Sequence, residues 1–288
     1  MVRSSSKHIL ITGIHSYIGN NLRDYIYHKE LPVVVATISM RDESFKKLDY
    51  SQYDCILHVA SIVHQKSRKI DFNDYYHCNV EKTIEIAQLA KEAGIKHFVF
   101  LSSMAVYGSG ITRISKDTIP RPDNYYGRTK LIAEEKLQEL ADDHFKVAIV
   151  RPPMVYGKDC PGNYNVLSRL ARRVPFFPEI ENYRSMIYID NLSIYLWRII
   201  EGESIGIFHP QNIEYVNTFN LVQEIARCHG QKIYGIKILN PLIHALRKST
   251  SIFKKVFGDL TYDKSLSTLE TGNYQLINFK DSIKETET

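Results

Sequence analysis

Tyr126 and Lys130 stand four residues apart at the head of a run, Thr129 to Leu140, whose pattern predicts a helix. One helical turn stacks a phenol beside an ammonium on the same face. A tyrosine titrating near ~10 is a poor base at neutral pH, but a cation within a few ångströms stabilises the phenolate and moves its pKa towards the working range. Such a pair can take a proton from a substrate hydroxyl. A hydroxyl that could join them, Ser103, directly follows the apolar run His97 to Leu101 and Ser102. Elsewhere the run His8 to Thr12 stops at Gly13, in the order Gly13-x-x-Ser16-x-x-Gly19. Glycines there let a pyrophosphate approach the backbone N–H groups of a helix N-terminus, where the dipole favours an anion and a Cβ would be in the way. Ser16 holds the middle glycine position; it is small and can itself donate a hydrogen bond.

The elements that must position these residues alternate. His8 to Thr12, Pro32 to Ile38, Asp54 to Ala60, His97 to Leu101 and Phe145 to Val150 read as strands. Helices are expected from Ile18 through Ile26, over Asn79 to Ala93 and over the Tyr126 segment. This spacing predicts an α/β fold, a Rossmann-like doubly wound parallel sheet that binds ligands at the carboxyl ends of its strands. The first domain spans 1–157, with 186–204 returning to it, and 158–288 forms mainly a smaller C-terminal lobe. Ser109 to Asp123 reads as irregular and Val174 to Pro178 as an apolar loop. In the lobe, helices are expected at Tyr164 to Val174, Asn191 to Ile200 and Thr218 to His229, the last with Thr218 as N-cap, and a short strand at Met186 to Ile189.

The formal charge of +5 is spread along the chain and does not demand nucleic acid, although Arg169, Arg172 and Arg173 share one basic helix face. Cys55, Cys78, Cys160 and Cys228 lie far apart and the histidines show no paired ligand spacing, so reduced thiols, no metal and a cytoplasmic address are expected. The basic head, Met1 to Lys7, precedes an apolar run too short for a signal peptide, and no run approaches the ~18 apolar residues of a membrane span. Neither a membrane nor a nucleic-acid partner is expected.

Taken together these segments resemble the extended short-chain dehydrogenase/reductases, in particular the NAD(P)-dependent nucleotide-sugar epimerase/dehydratase group typified by UDP-galactose 4-epimerase. Thr12-Gly13-x-x-Ser16-x-x-Gly19, Leu101-Ser102-Ser103-Met104-Ala105-Val106-Tyr107-Gly108, Tyr126-Gly127-Arg128-Thr129-Lys130, Arg151-Pro152-Pro153-Met154-Val155-Tyr156-Gly157 and Arg184-Ser185-Met186-Ile187-Tyr188-Ile189-Asp190 carry the resemblance. It implies Ser103, Tyr126 and Lys130 as catalytic residues. It implies a cofactor site of Gly13, Ser16, Tyr17, Ile18, Gly19, Arg41, Ala60, Asn79, Tyr126, Lys130 and Pro153, and substrate contacts from Ser103, Met104, Tyr126, Asn163 and Arg184, the last on a diphosphate. A homodimer is also implied, through the helices at Asn79 to Ala93 and Tyr126 to Leu140, with Ile86 and Leu89 as candidates for the outer apolar face.

At the end of the second strand an acid would bind the ribose of NAD and a base the 2′-phosphate of NADP. Arg41 tips the expectation slightly to NADP, with Asp42 as the alternative ribose ligand. The residues after Ser103 are Met104-Ala105, neither of which transfers a proton, so dehydration is not expected. The leading expectation is 4-epimerisation of a UDP-linked sugar; a 4-keto nucleotide-sugar reductase is the alternative, and a non-catalytic NAD(P)-sensing protein a distant third.

Overall fold

The structure, a computed structural model, describes residues 6–63 and 71–288, and of these the side chains of all but 244, 247–249, 251 and 252. The first half repeats strand and helix. β1 (Lys7–Thr12) turns into α1 (Tyr17–His28), β2 (Val33–Ile38) leads to β3 (Cys55–His58), and α2 (Phe72–Tyr76) runs through a π turn into α3 (Lys82–Glu92). Then come β4 (His97–Leu101), the short β5 (Arg113–Ile114), α4 (Tyr125–Leu140) and β6 (Lys146–Val150). The remainder holds β7 (Met154–Tyr156), α5 (Asn163–Ala171), β8 (Phe176–Pro178), β9 (Met186–Tyr188), α6 (Ile189–Glu201) and β10 (Gly206–Phe208). After these follow α7 (Thr218–Cys228), β11 (Tyr234–Ile236), α8 (Asn240–Ser249), α9 (Ser251–Phe257), β12 (Thr261–Tyr262) and α10 (Phe279–Glu287).

Six strands form one parallel sheet in the order β10-β6-β4-β3-β1-β2, the Rossmann-like arrangement expected. Helices cover both faces, so β3 and β4 are buried at every residue and read as continuous apolar runs. The two-residue period of a strand still sorts their side chains. Ile9, Ile11, Leu57, Val99 and Val150 face one core with α1 and α6, while Leu10, Ile56, Phe98, Phe100 and Ile149 face the other with α3 and α4.

Several local expectations need correction. Phe176 to Pro178 is not a loop, because it pairs in parallel with β11. Within Ser109 to Asp123, Arg113 and Ile114 pair with β12. The cap of α7 is Asn217, whose side chain accepts the Asn220 N–H at 3.0 Å, and Thr218 is the first helical residue. The helical segment expected from Asn79 starts earlier, at Phe72 of α2, because the capping box of Asp71 and Asp74 nucleates it. Ile86 is fully buried in the chain's own core and offers nothing to an outer face, whereas Leu89 is only partly covered. The sixth strand, β10, escaped notice because a three-residue run, Gly206-Ile207-Phe208, carries too little pattern to detect. Residues 1–5 of the basic head lie outside the described residues.

Candidate active site

The residues singled out for chemistry meet at the carboxyl ends of β3, β4 and β6. β4 ends at Leu101, and Ser103 caps the following 3-10 turn, Met104–Tyr107, by accepting the Ala105 N–H at 3.1 Å. α4 is started by Asn124, whose side chain accepts the Gly127 N–H at 2.9 Å. Gly127 lets the helix press against that turn, since a Cβ there would lie 2.5 Å from the Ala105 carbonyl oxygen. The close approach carries the Tyr126 hydroxyl into hydrogen-bonding contact with the side chains of Ser103 and Ser61. Burial pushes the Tyr126 phenol up to about 12, with the two serine hydrogen bonds pulling the other way.

Lys130 lies one turn further on and is 1% exposed. Its Nζ donates to the Leu101 carbonyl at 2.8 Å and sits 4.5 Å from the centre of the Phe100 ring. Helical spacing places Lys130 one turn from Tyr126, and a strand-end carbonyl and an aromatic face hold its ammonium. Burial brings the ammonium down to about 7, with the Glu134 carboxylate opposing the fall.

The turn after β1 is tight and leaves helix N-terminal N–H groups open. Gly13 has φ +86°, and a Cβ there would touch Ala60 at 3.4 Å. Ser16 caps α1 by accepting the Gly19 N–H at 3.1 Å, leaving the Tyr17 and Ile18 N–H groups without intrahelical acceptors. A Cβ on Gly19 would come within 2.8 Å of Ile11, so this glycine serves helix-on-sheet packing. Among the described residues the buried Tyr17 hydroxyl has no hydrogen-bond partner. Asn79 lies in the π turn, accepts the Ile62 N–H at 2.8 Å and donates to Thr129 at 3.2 Å, tying the β3 loop to α4. Pro153 is buried just past the end of β6. Arg41 is exposed just after β2, and Asp42 is occupied in capping the next turn through the Ser44 N–H at 2.9 Å. A positive-φ glycine, an open helix N-terminus and an unpaired buried hydroxyl together fit a bound dinucleotide.

The remaining substrate candidates are more scattered. Met104 is 6% exposed and packs with Val106, Tyr107, Ile114 and Tyr262, which leaves little of it for a ligand. Asn163 is exposed at the first turn of α5. Arg184 is half-buried, donates to the Gly258 carbonyl at 2.9 Å, and burial lowers it to about 10 against the pull of Asp259.

Three groups of residues escaped the sequence reading. His58, 1% exposed, is kept neutral by burial. Thr83 donates to the Asn79 carbonyl, so His58 Nε2–H donates to Thr83 (2.9 Å) and Nδ1 accepts from Thr12 (3.0 Å). Thr12 then accepts the Val59 and Ala60 N–H groups, each at 3.1 Å, which fixes the two strand ends flanking Gly13. The second group is Glu134, whose carboxylate forks with Arg151, the closest approach being 2.5 Å, and accepts from Ser102. Arg151 also donates to the Tyr107 hydroxyl at 2.7 Å. The third is Lys82, 9% exposed, whose Nζ donates to the Met40 carbonyl at 2.8 Å just after β2. The one available signal was helical spacing, Glu134 standing four residues after Lys130.

A Rossmann-like sheet whose strand ends hold a Ser, a Tyr and a buried Lys beside a dinucleotide turn defines a class of nicotinamide-dependent enzymes. The model of the NAD dependent epimerase/dehydratase family matches residues 9–209, and the chain belongs to that family, among the extended short-chain dehydrogenase/reductases. It is 27% identical over 250 residues to UDP-glucose 4-epimerase of Vibrio cholerae, an alignment spanning 78% of this chain and 76% of that protein. It is 29% identical over 175 residues to the Escherichia coli O157:H7 N-acetyl-alpha-D-glucosaminyl-diphospho-ditrans,octacis-undecaprenol 4-epimerase, covering 58% of this chain and about half, 53%, of that protein. The crystal structure of UDP-glucuronic acid 4-epimerase from Bacillus cereus with NAD shares the fold, with TM-score 0.74, 19% identity and 96% of each chain covered. So does dTDP-4-dehydrorhamnose reductase from Bacillus anthracis with NADP, with TM-score 0.65, 19% identity, and 81% and 84% covered. Members of the family are NAD(P)-dependent nucleotide-sugar epimerases and reductases.

Proposed function

We propose that the chain catalyses 4-epimerisation of a diphosphate-linked sugar, UDP being the handle we favour. The observation that carries this reading is the Ser103–Tyr126 hydrogen bond at the strand ends, beside the buried Lys130. A bound nicotinamide would take the hydride from carbon 4 and return it to the other face of the resulting ketone. Tyr126 exchanges the proton of the 4-hydroxyl, and Ser103 donates to the same oxygen as it becomes a carbonyl. For a phenol raised to about 12 to work near neutrality, it needs added positive charge, and Lys130 one turn away is the cation at hand. Arg184, with its planar fork of donors, is assigned to the diphosphate. No proton-transferring side chain follows Ser103, as Met104 is buried in the core and Ala105 is inert, which argues against a dehydratase.

The relatives named above carry either a nucleotide or a polyprenol on the diphosphate, and carbon-4 chemistry is indifferent to that choice. The second reading, a 4-keto reductase using NADPH, is favoured by Arg41 and Lys82 at the end of β2, two cations where a 2′-phosphate would lie. We assign NADP as the slightly preferred cofactor on the same ground, and a homodimer through α3 and α4. Incubation with UDP-hexoses without added reductant, followed by NMR at carbon 4, separates the readings. Inversion establishes the epimerase; no inversion, with stoichiometric NADPH consumption on a 4-keto sugar, makes the protein a reductase.

A further inference from the structure

One segment holds the chain's excess of positive charge. From Gln231 to Gly258 there are six basic residues, Lys232, Lys237, Arg247, Lys248, Lys254 and Lys255, and no Asp or Glu, against a formal +5 for all 288 residues. The rest of the molecule is therefore close to neutral. This segment forms β11, α8 and α9 and leaves large apolar side chains in water: Tyr234 is 51% exposed, Ile238 85%, Leu239 40% and Leu242 59%. Phe176, 56% exposed, extends the patch, because it pairs with Tyr234 in register and their ring centres lie 6.1 Å apart. α8 is anchored through Ile243, which is only 4% exposed.

Cations lie on the same segment and on the helix that precedes β8. Lys232 stands over the Tyr234 ring at 5.1 Å, and Lys254 and Lys255 are exposed on α9. On the approach to β8, Arg169, Arg172 and Arg173 line a shallow hollow. Lys237 is partly neutralised by Glu179 at 3.2 Å.

A contiguous exposed apolar patch marks an interaction surface. The core of a protein-binding patch is typically depleted of lysine, whereas aliphatic and aromatic groups bordered by Lys and Arg match a helix lying in the plane of a bilayer. Among the described residues no helix is long and apolar enough to cross a membrane, so the contact would be peripheral. We propose that this face docks on an anionic lipid bilayer, with Ile238, Leu239 and Leu242 entering the headgroup region and the lysines meeting lipid phosphates. The Gly258 carbonyl, at the end of α9, accepts from Arg184 at 2.9 Å, which joins this segment to the residue assigned above to the diphosphate. The inference is independent of which sugar is turned over.

Co-sedimentation of the full chain with vesicles tests it without any activity readout. At low salt the protein pellets with vesicles of one part phosphatidylglycerol to three parts phosphatidylcholine, stays in solution with phosphatidylcholine alone, and is released by salt. Each basic residue near the surface multiplies partitioning by about five, so the double variant Lys254→Glu, Lys255→Glu loses at least ~10-fold, and Leu242→Ser loses binding at unchanged charge. Circular dichroism confirms that both variants fold. No binding to the anionic vesicles, or binding that the lysine double variant leaves unchanged, overturns the proposal. So does a dimer in light scattering that Leu242→Ser dissolves, since a second copy would then cover the face, or retention of the wild type by single-stranded DNA in preference to the vesicles.

Discussion

Lys130 and Arg151 are both cations buried at the sheet's carboxyl edge, 1% and 5% exposed, yet the fold treats them differently. Arg151 is surrounded by acceptors: its guanidinium forks onto both Glu134 oxygens, donates to the Tyr107 hydroxyl and stacks on the Tyr107 ring at 5.0 Å. Burial alone would lower it, but hydrogen bonding and the charge of Glu134 outweigh this and raise it. Lys130 has the Leu101 carbonyl and a ring face, and burial lowers it to about 7. A cation with its acceptors supplied by the protein is holding structure together. One with spare donors can meet a group the protein does not supply, which is the role proposed for Lys130.

The comparison is broken most directly by Arg151→Met. Removing the guanidinium strands the Glu134 carboxylate in the interior, and the expected loss is ~3–5 kcal/mol by urea denaturation. Arg151→Met combined with Glu134→Leu should recover most of it, because no buried charge is then left alone. A loss below ~1 kcal/mol in the single variant would mean that water reaches the pair and that it is not structural in the sense argued.

On the chemical side, Tyr126→Phe and Ser103→Ala are each expected to lower turnover at least ~100-fold with cofactor affinity nearly intact, since acid–base groups supply 10² to 10⁴ in rate. Wild-type turnover in Tyr126→Phe, on a sugar the native protein epimerises or reduces, sinks the assignment.

Lys130→Met should have the opposite sign in stability. Its folded pKa of about 7 lies below the 10.5 of the unfolded chain, so the unfolded state holds the proton over the interval between them. The cost of burying the ammonium is therefore fully present below pH 7, shrinks as the pH rises from 7 to 10.5, and is gone above that. The variant should be ~1–3 kcal/mol more stable than wild type at pH 6, with the gap closing by pH 10 while activity is lost throughout. A variant less stable than wild type at pH 6 would put Lys130 with Arg151 among the structural cations.

How much of this was legible depended on whether a residue's partners lie close in sequence. Tyr126 and Lys130 share a face by helical spacing, and Gly13 and Gly19 announce a turn because only backbone geometry is at stake. The buried network of Ser102, Glu134, Arg151 and Tyr107 joins residues from three elements, Tyr107 and Arg151 standing 44 positions apart, and no local pattern encodes it. The direction of the Lys130 side chain was likewise set by β4, not by its own helix. In the second half of the chain, β8 and β11 are three-residue strands whose pairing is long-range, which is why Phe176 to Pro178 reads as loop. The basic segment was missed for another reason: a chain-wide charge of +5 averages away a stretch without a single acid.

The same comparison extends to a third cation and gives the finest test. Lys82 is 9% exposed and, like Lys130, donates to a backbone carbonyl, that of Met40 at 2.8 Å, at a strand end where a ligand is expected. If spare donors mark a residue kept for a ligand, Lys82 should meet the 2′-phosphate of NADP, with the exposed Arg41 a weaker second contact. Lys82→Met is then expected to weaken NADP binding about tenfold while changing NAD binding little, as charge-assisted hydrogen bonds are worth about 1.5–3 kcal/mol. Arg41→Ala should cost less than ~5-fold, because a solvated charge contributes ~1 kcal/mol or less. Dissociation constants for both cofactors with each variant decide the matter. Equal losses for NAD and NADP in Lys82→Met would make its bond to Met40 a structural clamp, and a lone backbone carbonyl would no longer distinguish a waiting cation from a settled one.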